Sequence, residues 1–102
     1  MTQVEIVSSD EKELRIALSG EIDSGNAEEF FAAVVSAYEK QPADLVFSCE
    51  GLDFIDSTTL GTFVKLLKKV KADGFSMKLL SLQAKIKKLF LICSLDTIME
   101  ID

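Results

Sequence analysis

Apolar and polar residues along this 102-residue chain change their spacing in a regular order. Val4 to Ser8 and Leu14 to Ser19 alternate, which is the period of a strand with one buried face. The charged run Asp10-Glu11-Lys12-Glu13 lies between them, so the pair predicts an antiparallel hairpin. Ile16 and Leu18 fall on one face, Arg15 and Ala17 on the other, and Gly20 is assigned to the end of the second strand. Ser24-Gly25-Asn26 then punctuates the chain, and Asn26 with Glu29 has capping-box spacing. Ala27, Phe30, Phe31, Val34, Val35 and Tyr38 recur at helical spacing and predict an amphipathic helix. Pro42, in Gln41-Pro42-Ala43, stops it.

The second half repeats the alternation of elements. Leu45-Val46-Phe47-Ser48-Cys49 is an apolar run of strand length, placing a strand near Leu45–Ser48. Leu60, Phe63, Val64, Leu67 and Val70 predict a helix from about Ser57 to Asp73, with Lys65, Lys68, Lys69 and Lys71 on its other side. Gly74 is the natural residue just past its end. Met77 to Leu82 predicts a strand. Ile86, Leu89, Phe90 and Cys93 make one stripe of a short helix, with Lys85, Lys87 and Lys88 opposite. Ile98 to Ile101 is a last short strand. The order β-β-α-β-α-β-α-β predicts an α/β fold with a parallel or mixed sheet and right-handed crossovers. There is no repeat and no linker, so residues 1–102 are expected to form a single domain.

Composition narrows the chemistry. The chain has no histidine, which removes Ser-His and Cys-His nucleophiles and the commonest metal ligand. No nucleophile–base pair can be read, so no enzyme activity is expected. Without a Gly-rich phosphate loop, no cofactor is expected either. The two cysteines, Cys49 and Cys93, form no C-x-x-C; both sit in apolar runs and are assigned to the core. No metal is expected. The start, Met1-Thr2-Gln3-Val4-Glu5, lacks the pattern of a secretory leader, and no run is long enough to span a bilayer. A cytoplasmic location follows as the expectation.

The net charge is −6, which argues against nucleic acid. The charge is also uneven. Residues 1–56 carry three basic and thirteen acidic side chains, residues 57–102 eight basic and four acidic. Solvated helix faces account for most of this, and the asymmetry can still steer a partner to one side.

The stretch with the most chemical content is Leu52-Asp53-Phe54-Ile55-Asp56-Ser57-Thr58-Thr59-Leu60-Gly61. It follows a buried strand and opens a helix. Ser57 falls in the first helical turn, where free N–H groups and the helix dipole favour an anion. A phosphoserine is accommodated there without melting the helix. The plainer alternative is that Asp56, Ser57 or Thr58 simply caps the helix.

Three segments together resemble the STAS fold, specifically the bacterial anti-sigma factor antagonists. Leu18-Ser19-Gly20-Glu21-Ile22-Asp23, followed by a helix holding Ala27, is similar to the family's strand ending in Gly-Glu-Leu-Asp. Phe54-Ile55-Asp56-Ser57-Thr58-Thr59-Leu60-Gly61 resembles the signature Asp-Ser-(Ser/Thr)-Gly-Leu-Gly. Ile86-Lys87-Lys88-Leu89-Phe90, ahead of Leu95, is similar to the late helix and its exit. The resemblance covers nearly the whole chain. Thr59 stands where the signature has glycine, and after Cys93 the chain has Ser94-Leu95 where the family often has Ser-Gly.

The resemblance implies a single mixed sheet of four to five strands with helices mainly on one face. It also implies a mechanism. An anti-sigma factor that is also a GHKL-type serine kinase phosphorylates the serine after the signature aspartate, here Ser57, with Thr58 and Thr59 as alternative acceptors. The unphosphorylated protein binds that partner and frees the sigma factor. A PP2C-type phosphatase reverses the modification, and any ATP belongs to the kinase. Asp23, Ser24, Asp56, Ser57, Thr58, Thr59, Leu60 and Gly61 are the expected partner-binding residues, with Asp56 orienting the Ser57 hydroxyl and Asp53, Asp56 and Asp23 sharpening repulsion of the phosphate. The protein is expected to be a monomer without membrane insertion. The competing reading is an unphosphorylated STAS docking subunit of a membrane transport complex or signalling scaffold.

Overall fold

The structure is a computed structural model that describes residues 2–102; Met1, part of the segment read above for a leader, lies outside them. The elements follow the predicted order: β1 Thr2–Ser9, β2 Glu13–Ile22, α1 Ala27–Lys40, β3 Asp44–Ile55, α2 Ser57–Ala72, β4 Met77–Leu80, α3 Ala84–Ile92 and β5 Glu100–Ile101. A short 3₁₀ turn, Leu95–Thr97, precedes β5. The strands form one sheet in the order β1-β2-β3-β4-β5. β1 is antiparallel to β2, and every other pair is parallel. Each helix therefore connects two neighbouring parallel strands.

The hairpin is set by Asp10, whose carboxylate accepts the N–H groups of Lys12 and Glu13 at 2.8 and 2.9 Å. This is the local side-chain bonding that makes Asp a turn former. Along β2 the alternation is as expected: Leu14, Ile16 and Leu18 are buried. Leu45, Phe47 and Cys49 of β3 and Met77 and Leu79 of β4 extend the same core. Phe63 of α2 lies 5.2 Å from Phe30 of α1 and 5.5 Å from both Phe47 of β3 and Phe90 of α3, between ring centroids. All three helices thus meet on one face of the sheet. Burying each such side chain contributes about 1.5–3 kcal/mol, which makes this aromatic cluster the fold's main anchor.

Several boundaries differ from the expectation, each for a physical reason. β2 does not end at Gly20 but runs to Ile22. Gly20 takes a φ of +79°, and the register with β3 shifts between Gly20 and Glu21. The irregularity lets the strand continue and bury Ile22. β3 is longer than its apolar run because Leu52 and Ile55, beyond Cys49, are buried and pair with Gly20 and Ile22.

The helices also need correction. On α2 the core face is Thr59, Thr62, Phe63, Leu66, Leu67 and Val70; Leu60 and Val64 lie half-buried at its margin. Polar Thr59 and Thr62 masked the face: the Thr59 hydroxyl is satisfied by the Ile22 carbonyl of β2 and the Thr62 hydroxyl by the Thr58 carbonyl one turn back. On α1 the Asn26 side chain makes no capping bond. It instead accepts the Asp23 N–H and donates to the Glu21 carbonyl, so the predicted capping box is absent. On α3 only Ile86 and Phe90 are buried. Leu89 and Cys93 are exposed, because this nine-residue helix rests on the core along one narrow line and Cys93 lies past its end. Cys49 is buried as expected.

α2 ends in a Schellman motif. The Gly74 N–H donates to the Lys71 carbonyl and the Phe75 N–H to the Val70 carbonyl, with Gly74 at φ +87°. The C-terminal end of α2 is thereby fixed. No helix among the described residues is long and apolar enough to cross a membrane.

Candidate functional site

The site lies where β2 and β3 end and α1 and α2 begin. Asp56 is the residue that builds it. It caps α2 in extended conformation, and its Oδ1 accepts the Thr59 N–H at 3.0 Å. Thr59 replies: its Oγ1 accepts the Asp56 N–H, closing a capping box with threonine in the usual glutamate position. The Thr59 hydroxyl donates to the Ile22 carbonyl at the end of β2. The other carboxylate oxygen, Asp56 Oδ2, accepts the Ser24 N–H at 2.9 Å. One carboxylate therefore joins the loop after β2 to the first turn of α2.

These bonds favour the ionised carboxylate. The Thr59 N–H, and after it the Ser24 N–H, hold the Asp56 pKa below its ordinary value against a partly opposing desolvation. Among the described residues no hydrogen bond joins Asp56 to the Ser57 hydroxyl; the carboxylate takes Thr59 and Ser24 instead.

Ser57 is the first residue of α2 and is exposed. Its hydroxyl makes no hydrogen bond among the described residues. Thr58 is exposed beside it. Thr59 is 0% exposed, so it is neither an accessible acceptor nor a partner contact. Burial of the threonine side chain, rather than a glycine, fills the space under the helix start. Leu60 is half-buried and Gly61 exposed.

Asp23 and Ser24 do reach this edge. The Asp23 carboxylate accepts the Gly25 N–H, and its carbonyl accepts the N–H groups of Asn26 and Ala27. Asp53 is exposed but turned toward α3, where it accepts from Gln83 Nε2 at 3.1 Å. A groove of about 430 Å³ runs between the starts of α1 and α2, lined by Ser24, Glu28, Phe31, Thr58, Thr62 and Lys65, with Ala27 at its floor. Lys65 Nζ stands 5.9 Å over the Phe31 ring. Sequence reasoning missed Glu28, Phe31 and Lys65 as lining; helical spacing from Thr58 to Lys65 was the available signal.

The STAS domain family model matches residues 3–102. The anti-sigma-B factor antagonist of Bacillus subtilis (strain 168) is 36% identical over 95 residues, 93% of this chain and 86% of that protein. The unphosphorylated form of the anti-sigma factor antagonist SpoIIAA superposes with a TM-score of 0.80 at 23% identity, over all of this chain and 88% of that one. SpoIIAA in its phosphorylated form, described as a Bacillus cell fate determinant, gives 0.73 at 23% identity, over 100% and 91%. A putative anti-sigma factor antagonist from Thermotoga maritima gives 0.77 at 25% identity, over 97% and 83%. The one-face mixed sheet, the matched family model and the relative 36% identical over 95 residues agree: this chain belongs to the STAS domain family, among its anti-sigma factor antagonists.

Proposed function

We propose that this protein is a phospho-switched antagonist of an anti-sigma factor, and that Ser57 is the switch. In its unphosphorylated form it binds an anti-sigma factor that is also a GHKL-type serine kinase, and so frees the sigma factor. The kinase, using its own ATP, phosphorylates Ser57 and weakens the complex; a PP2C-type phosphatase resets it. The chain acts as substrate and binding module, not as catalyst, in the cytoplasm.

One observation carries this reading. Ser57 is an exposed hydroxyl, free of intramolecular bonds among the described residues, at the first turn of a helix whose start is fixed by other residues. Capping is done by Asp56 and Thr59, which leaves Ser57 without a structural task. A phosphate there adds about −1.5 to −2 charges at a docking surface. It stands beside the carboxylates of Asp56 and Asp23, so a partner shaped for a neutral hydroxyl meets a concentrated negative edge. The helix dipole meanwhile keeps the modified helix folded.

The test is intact and peptide mass spectrometry of protein isolated from its own host, before and after phosphatase treatment. A single phosphate on Ser57 is expected. Binding of Ser57→Ala and Ser57→Glu to the purified anti-sigma factor should differ, with the glutamate variant weaker. Equal binding by the two variants sinks the switch.

A further inference from the structure

Phe54, Leu89 and Ile92 are large apolar side chains left 47%, 38% and 68% exposed. Phe54 and Leu89 line one hollow of about 210 Å³ between the end of β3 and α3, together with Asp53 and Lys85. Ile92 lies three residues after Leu89 on the helix, Lys85 lies four before Leu89 and Lys88 four before Ile92, so these side chains share one face of α3. Ile86 and Phe90 hold α3 on the core. The outward stripe is therefore not needed for packing, and polar residues there would leave the core unchanged. Clustered exposed apolar side chains of this kind mark interaction surfaces.

Two features say what covers the patch. Phe54 precedes Ser57 by three residues, a separation of at most about 11 Å along the chain, so a partner seated on Ser57 reaches it. Lys85 and Lys88 also flank the patch on α3, two cations against the one carboxylate of Asp53, in a chain of net charge −6, which complements an acidic surface.

We propose that Phe54, Leu89 and Ile92 form a second docking patch for the anti-sigma factor, receiving apolar side chains from an acidic segment of that partner. Lys85 and Lys88 pair with the segment's carboxylates. The proposal rests on the reading of Ser57 given above: the serine end gates the complex, and the patch supplies affinity that phosphorylation does not touch.

The test uses the full chain and the purified anti-sigma factor of the same genome, titrated by calorimetry. Three variants are compared: Phe54→Ser/Leu89→Ser, Lys85→Glu/Lys88→Glu and, as the control on the switch, Ser57→Glu. Both double variants are expected to melt near the parent and to lose roughly tenfold or more in affinity, the size expected for anchors at an interface centre. Added salt should weaken the parent complex more than that of the lysine variant. If the apolar variant fails to fold, the lysine reversal carries the test alone. Affinities within about twofold of the parent in the double variants, with Ser57→Glu still weakened, overturn the patch and leave the switch standing. Sedimentation showing that the parent dimerises and Phe54→Ser/Leu89→Ser does not would give the patch to a second copy, and also overturn the proposal. A Ser57→Glu variant that binds like the parent while the patch variants weaken would uphold the patch as a docking site and remove the gate from the reading beneath it.

Discussion

The Ser24 N–H donates to the Asp56 carboxylate at 2.9 Å, and this bond ties the loop after β2 to the start of α2. The same carboxylate caps the helix through Thr59. Asp56→Ala removes both. The expected loss is about 1–2 kcal/mol, the range for a deleted N-cap, read from urea unfolding. Faster amide exchange at Ser24 and Thr59 should accompany it. A loss confined to α2, with Ser24 exchange unchanged, would mean the loop is held by other bonds.

Acid should act through the same group. Asp56 has a native pKa below its ordinary value, as does Asp10, whose carboxylate accepts the Glu13 and Lys12 N–H groups. A depressed native pKa contributes stability that is present above the unfolded value, about 3.9 for aspartate, and is lost as pH falls through the lower native value. Stability should therefore hold from neutral pH to about pH 5 and decline below about pH 4. Asp56→Ala should flatten the decline, measured as urea midpoint against pH; an unchanged slope would assign the acid sensitivity elsewhere.

Much of this architecture was legible because apolar periodicity and burial coincide. Ala27, Phe30, Val34 and Tyr38 of α1 read as a stripe and are the buried residues of that helix. The acidic loop and serine marked the helix start, where Asp56 caps and Ser57, the first residue of α2, is exposed. What escaped was set by hydrogen bonds and packing that spacing alone does not show. Thr59 and Thr62 are buried although polar, because each hydroxyl finds a carbonyl, Ile22 and Thr58 respectively. Leu89 and Cys93 are exposed although apolar, because α3 is short and narrow in its contact. Nothing local distinguishes Leu89 from Phe90. The Asn26–Glu29 spacing promised a capping box, but bonds to Asp23 and Glu21 claimed the Asn26 side chain.

Thr59 replaces the signature glycine, and its hydroxyl is structural. Thr59→Val keeps the shape and removes the hydroxyl, leaving the Ile22 carbonyl without its donor. The expected destabilisation is about 1–3 kcal/mol, the penalty for a buried unsatisfied polar group. Thr59→Ser should retain most of the stability. Equal melting of parent and valine variant would show that water replaces the bond.

The two thiols should differ in reactivity. Cys49 is buried, and desolvation pushes its pKa up to about 12. Cys93 is exposed. A thiolate-selective reagent is expected to label Cys93 in the native protein and Cys49 only after denaturation. Peptide mapping decides it, and native labelling of Cys49 would mean the β3 core opens readily.

Gly61 sits one turn after Ser57 on the exposed side of α2, and a Cβ placed there would meet nothing within 4 Å. Glycine inside a helix costs about 1 kcal/mol relative to alanine. On the proposed function, the bare backbone at Gly61 gives a partner seated on Ser57 room to approach the helix closely. Gly61→Ala should then do two opposed things. It should raise stability by about 0.5–1 kcal/mol in urea unfolding, and it should weaken binding to the anti-sigma factor, with Gly61→Leu weakening it further. Stability and affinity moving in opposite directions on one methyl group is a signature that loss of packing cannot produce. If Gly61→Ala is more stable and binds unchanged, the partner does not cover this turn, and the docking surface must be centred on the groove lined by Ser24, Thr58 and Lys65 instead.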